Sequence, residues 1–201
     1  MNLFSSHILA RFISTLFVPP SFTIIIFSIF AFTLESEPIK QVVTILNALV
    51  FGFIAPIVLF LILRKKGKLA DQDASIKEER TIPFLIAIIF YLIGSWIMIK
   101  YELNIISIAF WFCYISNTII TIFINRFWKI SAHAMGIAGP FSAIVFAFGW
   151  IGIVLLPLVL LVGWARVELK CHTPSQVVTG VLLAFISVYI QMSLIVKYFS
   201  N

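Results

Sequence analysis

The chain has 201 residues, 62% hydrophobic and 11% charged, and phenylalanine alone fills 21 positions. No water-soluble domain of this length needs so much apolar surface, so the bilayer is the solvent, and one membrane-embedded domain without a soluble appendage is expected. The net charge of +6 suits anionic head groups or phosphate esters, whereas almost no soluble surface remains for nucleic acid.

Residues 1–17 mix Phe, Leu and Ile with His7 and Arg11, the pattern of an amphipathic lead-in along the membrane surface before the chain dives at Val18, Pro19 and Pro20. The first full span is expected at about 12–34, with the two prolines placed to kink or restart it. It lacks a small-residue cleavage site and reads as a retained span rather than a signal peptide. Glu35, Glu37 and Lys40 form a turn, and a second span runs over about 41–63, interrupted at Asn47 and Pro56. It ends in the basic run Arg64–Lys68, which reads as a topology anchor.

The only long polar segment covers 64–82. Within it, Asp71 and Asp73 read as solvated loop carboxylates rather than as a metal-binding pair. A third span over about 83–100 and a fourth over about 104–125 follow, joined by a tight turn at Lys100, Tyr101 and Glu102. Asn117 and Thr118 are placed to bond a neighbouring helix. Cys113 falls mid-span as a packing residue, and with Cys171 so distant no disulfide framework is indicated. After a surface segment at 126–133, the interval from Ala134 to Trp164 is too long for one span. It is broken by Phe148, Gly149, Trp150, Ile151 and Gly152, so two short spans, out and back, fit it better. A last span covers about 175–196, which gives an all-α polytopic membrane helix bundle of six to seven spans.

Chemistry concentrates in the polar interruption from Trp164 to Gly180. Thr173 is a good N-cap, Pro174 suits the first helical position, and Gln176 completes a capping box three residues after the cap. The mouth of that helix, with free amides and partial positive charge, favours an anion, and His172 stands beside it. On one continuous helix Arg166 would lie about 120° away from His172. A bend is therefore needed for both to face one ligand, and the Thr173-Pro174 start is expected to supply it. Ser131 is likewise a natural N-cap, with Lys129 and His133 on either side.

Arg166, five residues, His172, three residues and Gln176 reproduce the spacing of the third signature of the type 2 phosphatidic acid phosphatase superfamily, Ser-Arg-x(5)-His-x(3)-Asp, which this stretch resembles. Ala165 stands at the family's Ser and Gln176 at its Asp. Ile130, Ser131, Ala132 and His133 resemble the second signature, Pro-Ser-Gly-His, at Ser131 and His133. For the first signature, Lys-x(6)-Arg-Pro, Arg80 is the counterpart of the arginine, Pro83 is displaced by two residues, and Asp73 occupies the lysine position. Lys77, one helical turn before Arg80, is positioned to supply the missing ammonium.

The resemblance implies an integral-membrane lipid phosphatase in which His172 is the nucleophile and forms a phosphohistidine. It also implies that Arg166 and Ser131 hold the phosphoryl oxygens, with Arg80 as the first signature's arginine, and that His133 protonates the leaving oxygen; outside the resemblance, Lys129 beside Ser131 and Lys77 beside Arg80 are close enough in sequence to add charge. The implied substrate is a lipid phosphate or polyprenyl diphosphate, and the mechanism asks for no metal and no cofactor. At Gln176 a neutral amide replaces a carboxylate. The comparable change in the serine-protease triad costs on the order of 10⁴ in rate.

His7 reads as interfacial, and Arg126 and Lys170 as contacts to lipid head groups. A second reading keeps the pocket without the reaction, as a lipid-phosphate binder or carrier. A third, a metal-dependent prenyl transfer prompted by Asp71 and Asp73, is poorly matched to so short a chain. Of the 14 Lys and Arg, only Lys40, Lys100 and Lys197 fall on the face opposite the signatures. The positive-inside rule then puts the site on the cytoplasmic face, expected here at the plasma membrane. With Lys77, Arg80, Arg126, Lys129, Arg166 and Lys170 set aside as ligand candidates, the excess shrinks, because only Arg11, Arg64, Lys65, Lys66 and Lys68 remain on that face.

Overall fold

The computed structural model describes residues 3–74 and 76–199, and every regular element among them is helical. The first two residues of the expected lead-in lie outside the described residues. Helices α1 (Leu3–Leu16) and α2 (Pro19–Leu34) meet at a bend of 52°. Pro19 and Pro20 occupy the opening turn of α2, where a missing amide costs nothing, so they restart the helix. Helix α3 (Pro38–Asn47) continues through a π-helical stretch, Ala48–Ile54, into α4 (Ala55–Lys65). The π turn sits just ahead of Pro56, whose ring would clash with the carbonyl one α-turn back.

A polar loop and a short 3₁₀ turn, Glu78–Arg80, lead into α5 (Thr81–Lys100), α6 (Ile105–Phe127) and α7 (Ala132–Phe148). A second 3₁₀ stretch, Gly149–Leu155, then leads into α8 (Leu156–Glu168), and α9 (Pro174–Phe199) closes the bundle.

Among the described residues, five stretches are long and apolar enough to cross a bilayer, six if α1 and α2 count as one broken span. Their outer faces expose Phe32, Trp96, Phe123 and Leu160 among many others, a surface suited to lipid rather than water. The stretch Ala132–Glu168 has the composition of a single span. Held straight it would separate its ends by about 55 Å. Instead it reverses at Gly149, whose φ of 66° opens the turn, and returns along α7, so that Lys129 Nζ donates to the Cys171 carbonyl at 2.7 Å. The out-and-back pair expected from the sequence is present, and it brings the polar stretches around Ser131 and His172 to one end of the bundle.

The lead-in is more than a surface helix. α1 packs along α8, burying Ala10, Ile13 and Ser14, and so carries Arg11 and Ser14 to the end where α8 finishes. Ile137, Val159, Val162 and Ala165 join Ala10, Ile13 and Phe22 in an apolar cluster beneath that end. Ala165 is a packing residue within it.

A second, aromatic cluster fills the other half of the bundle. Phe27 stacks on Phe110 at 5.5 Å and meets Trp111 edge-on at 5.2 Å. A Cβ at Gly94 would stand 2.4 Å from the Trp111 ring, so only glycine admits it. Cys113 is buried in this cluster, and Asn117 Oδ1 accepts from Ser187 Oγ on α9 at 2.7 Å, both as the sequence implies. The most extensive helix pairing is between α7 and α9. A Cβ on Gly180 would lie 3.1 Å from the Ser131 carbonyl, so the N-cap of α7 packs against the second turn of α9.

Candidate functional site

Helix α8 ends in a Schellman arrangement. Lys170 takes a left-handed φ of 54° and donates to the Val167 carbonyl at 2.9 Å, and the Cys171 amide reaches the Arg166 carbonyl at 3.1 Å. The His172 amide donates to that same carbonyl at 3.2 Å. The bend that turns His172 back over Arg166 therefore lies at Lys170, not at the Thr173-Pro174 start. Lysine rarely takes that conformation, and so no local residue pattern marks the bend.

The capping box forms as expected. Gln176 N donates to Thr173 Oγ1 at 3.3 Å, and Thr173 N donates to Gln176 Oε1 at 3.2 Å. The same Oε1 lies 3.1 Å from His172 Nδ1. A backbone amide only donates, so the Gln176 atom facing Thr173 is its oxygen, and His172 Nδ1 must carry the proton. The tautomer is thereby fixed and leaves Nε2 with its lone pair free. Gln176 thus performs the orienting half of a carboxylate's work without its charge.

Arg166 is fully buried. Its Nη1 donates to Ser14 Oγ at 2.5 Å and to Asp73 Oδ1 at 2.6 Å, while Asp73 Oδ2 accepts from Arg11 at 2.7 Å. Asp73 is no solvated loop carboxylate: it is the counter-ion of two arginines. Burial alone would raise its carboxyl, but hydrogen bonds from Arg11 and Arg166 outweigh that and hold it at about 2. The remaining donors of Arg166, Nε and Nη2, are buried and have no hydrogen-bond partner among the described residues. An unmet guanidinium edge in a low-dielectric setting is costly, and the planar pair it presents matches two oxygens of a phosphoryl or carboxylate group.

Around that edge the other expected residues take different places. Ser131 is fully buried as the N-cap of α7, its Oγ accepting from Ala134 N at 3.3 Å, which leaves its hydroxyl proton to donate. His133 sits half-buried in the first turn of α7, within electrostatic reach of Arg166, Asp73, His172 and Arg80. Lys129 ties the two loops through Cys171, and burial together with neighbouring Arg80 draws its ammonium below the ordinary lysine range.

Arg80 is buried, with Nε on the Ala74 carbonyl at 2.7 Å and Nη1 on the Ile130 carbonyl at 3.0 Å. It clamps the polar loop to the α6–α7 connection while lending charge to His172. Lys77 is engaged elsewhere. Its Nζ donates to the carbonyls of Asn125 and Arg126 at 3.0 and 2.9 Å and pairs with Glu78, closing the C-terminal end of α6.

Burial holds the His172 imidazole down to about 3, with the positive charges of Arg80, Lys129 and Arg166 adding to the effect and the Gln176 bond opposing it. At neutral pH the ring is uncharged. The arrangement thus joins a neutral imidazole of defined tautomer, a buried guanidinium edge and the adjoining mouths of two long helices.

Sequence reasoning missed Arg11, Ser14 and Asp73. The one available cue was that an arginine buried at the membrane requires an acidic partner somewhere in the chain. No three His, Cys, Asp or Glu side chains among the described residues gather closely enough to hold a metal ion. Compared with family models, with curated proteins and with solved structures, the chain finds no match.

Proposed function

We propose that this membrane protein is a phosphohydrolase acting on a lipid phosphomonoester or polyprenyl diphosphate through His172. The observation that carries the reading is the buried, unmatched Nε and Nη2 edge of Arg166, one turn of chain from a neutral imidazole whose proton is held on Nδ1 by Gln176, so that Nε2 is the unprotonated nitrogen. His172 Nε2 attacks phosphorus and the bond to the leaving oxygen breaks. Arg166, the helix mouths and the nearby Lys129 and Arg80 charges stabilise the oxygens as negative charge builds on them. His133, entering the step as the imidazolium, gives one proton to the departing oxygen and becomes neutral. It then takes one from the water that releases phosphate from His172.

A cavity of about 150 Å³ supports a substrate with an apolar chain. It begins at Pro19, Ala132 and Gly136, next to the Ser131 and His133 mouth, and descends past Thr121, Tyr114 and Val188 into the bundle.

A second reading, a lipid-phosphate binder or carrier of the same fold, is favoured by one observation: Gln176 cannot stabilise the imidazolium that attack creates. Phosphate release from phosphatidate, phosphatidylglycerophosphate and undecaprenyl diphosphate, measured on the purified chain in detergent with chelator present, separates the two. Release by the parent and none by His172→Ala is expected. Equal release from both overturns the hydrolase reading, and tight binding without release favours the carrier.

A further inference from the structure

The guanidinium of Arg166 can turn about its Cδ–Nε bond, so its free edge faces a ligand only if something holds the opposite nitrogen. Two groups do, and both come from distant parts of the chain: Ser14 on α1 and Asp73 in the polar loop. Together they take both protons of Nη1, which leaves Nε and Nη2 side by side.

Asp73 does not sit across the bidentate edge, where it would compete with an oxyanion. The loop that carries it is itself fixed. The Asp73 amide donates to Asp71 Oδ1 at 2.7 Å in an Asx turn, and Arg80 grips the next carbonyl, that of Ala74, at 2.7 Å. Arg11 holds the second carboxylate oxygen at 2.7 Å, so the carboxylate cannot rotate off Nη1 without giving up an ion pair.

We propose that Asp73 is a positioning residue that aims the Nε and Nη2 edge of Arg166 at a tetrahedral oxyanion, with Ser14 as its partner at Nη1 and Arg11 as the tie that holds it there. This rests on Arg166 being the oxyanion ligand of the proposed hydrolase. It goes further in giving the polar loop and α1 a part in the site, through a residue that touches no substrate.

Tungstate, a tetrahedral oxyanion of phosphate's shape, gives a readout that needs no turnover. Its binding to the purified full chain in detergent is followed by titration calorimetry. Asp73→Asn keeps the shape and loses the charge, and is expected to weaken tungstate binding about tenfold. Ser14→Ala, a smaller change at the same nitrogen, is expected to weaken it about threefold and carries the test alone if Asp73→Asn does not fold. In an Arg166→Ala background neither substitution should cost anything more, which a general loosening of the fold would not reproduce.

Parent-like affinity in both single variants overturns the proposal. So does an undiminished effect of Asp73→Asn once Arg166 is gone, or a parent that does not bind tungstate. Binding that depends on Asp73 in a parent that releases no phosphate from any lipid leaves the positioning role standing and removes the hydrolase reading.

Discussion

Arg166 and Asp73 are joined through a single nitrogen, Nη1 to Oδ1 at 2.6 Å, and this one-sided pairing leaves two guanidinium donors buried and unmatched. An ion pair meant only to neutralise a buried arginine gains most by using both edges of the fork. Here the acid is taken up by Arg11 on its other oxygen, and the Nε and Nη2 edge of the fork stays unmatched.

Gln176 is the position at which activity should be adjustable. Gln176→Asp shortens the side chain but supplies a charge for the imidazolium, and phosphate release is expected to hold or rise. Gln176→Leu removes the acceptor from both His172 Nδ1 and the Thr173 amide. It should lower the turnover number at least about a hundredfold and cost about 1 kcal/mol of stability through the lost cap. Steady-state kinetics and the detergent thermal midpoint of the same two variants check both statements.

Acid should destabilise the protein in a defined window. His172 titrates at about 3 when folded against an ordinary 6.5, so between those values the unfolded chain binds the extra proton and stability falls as pH falls. Asp73, held at about 2 against an ordinary 3.8, contributes stability that is complete above 3.8 and lost as pH drops toward 2. The unfolding free energy should therefore decline from pH 6.5 downward, with a limiting slope of about 1.4 kcal/mol per pH unit from His172, and the thermal midpoint should fall with it. His172→Gln should flatten the fall between pH 6.5 and about 3 and leave the Asp73 part, which sets in below 3.8.

The two lysines should separate. Lys77 is bonded to the last carbonyls of α6 and Lys129 to the Cys171 carbonyl beside His172. Lys77→Met is expected to lower the thermal midpoint, by about 1 kcal/mol in stability, and to leave KM within about twofold. Lys129→Met is expected to raise KM or lower the turnover number by about tenfold. Parallel kinetics on the two variants decide the assignment.

Gly180→Ala tests how closely the helix mouths must approach. The added carbon would stand 3.1 Å from the Ser131 carbonyl, and a backbone oxygen has little room to yield. A stability loss of about 1–3 kcal/mol is expected, together with weaker tungstate binding. A variant with parent-like values in both would show that the α7–α9 contact is loose.

The helices were legible because apolar runs, prolines and caps act within a few residues of one another. Pro19, Pro56, Ser131 and Thr173 each mark a boundary or an interruption that the fold respects. The out-and-back course of α7 and α8 followed from length and from Gly149. The candidate site was legible where one local stretch carries it, as in the Thr173 and Gln176 box.

What could not be read is what distance in sequence hides. Ser14, Asp73 and Arg166 meet across 152 and 93 residues, and nothing near Asp73 distinguishes it from Asp71. Lys77 was misplaced for a related reason. One helical turn separates it from Arg80 in sequence, but the carbonyls ending α6 offered its ammonium a nearer partner.

The most direct measurement is to mix the purified chain with a lipid phosphate radiolabelled at phosphorus, quench in alkali, where a phosphohistidine survives, and map the label by peptide mass spectrometry. The expected result is a base-stable, acid-labile phosphoryl adduct on the peptide containing His172, absent in His172→Ala, with phosphate release lost in the same variant. Phosphate release at the parent rate from His172→Ala, or label on a different side chain, contradicts it.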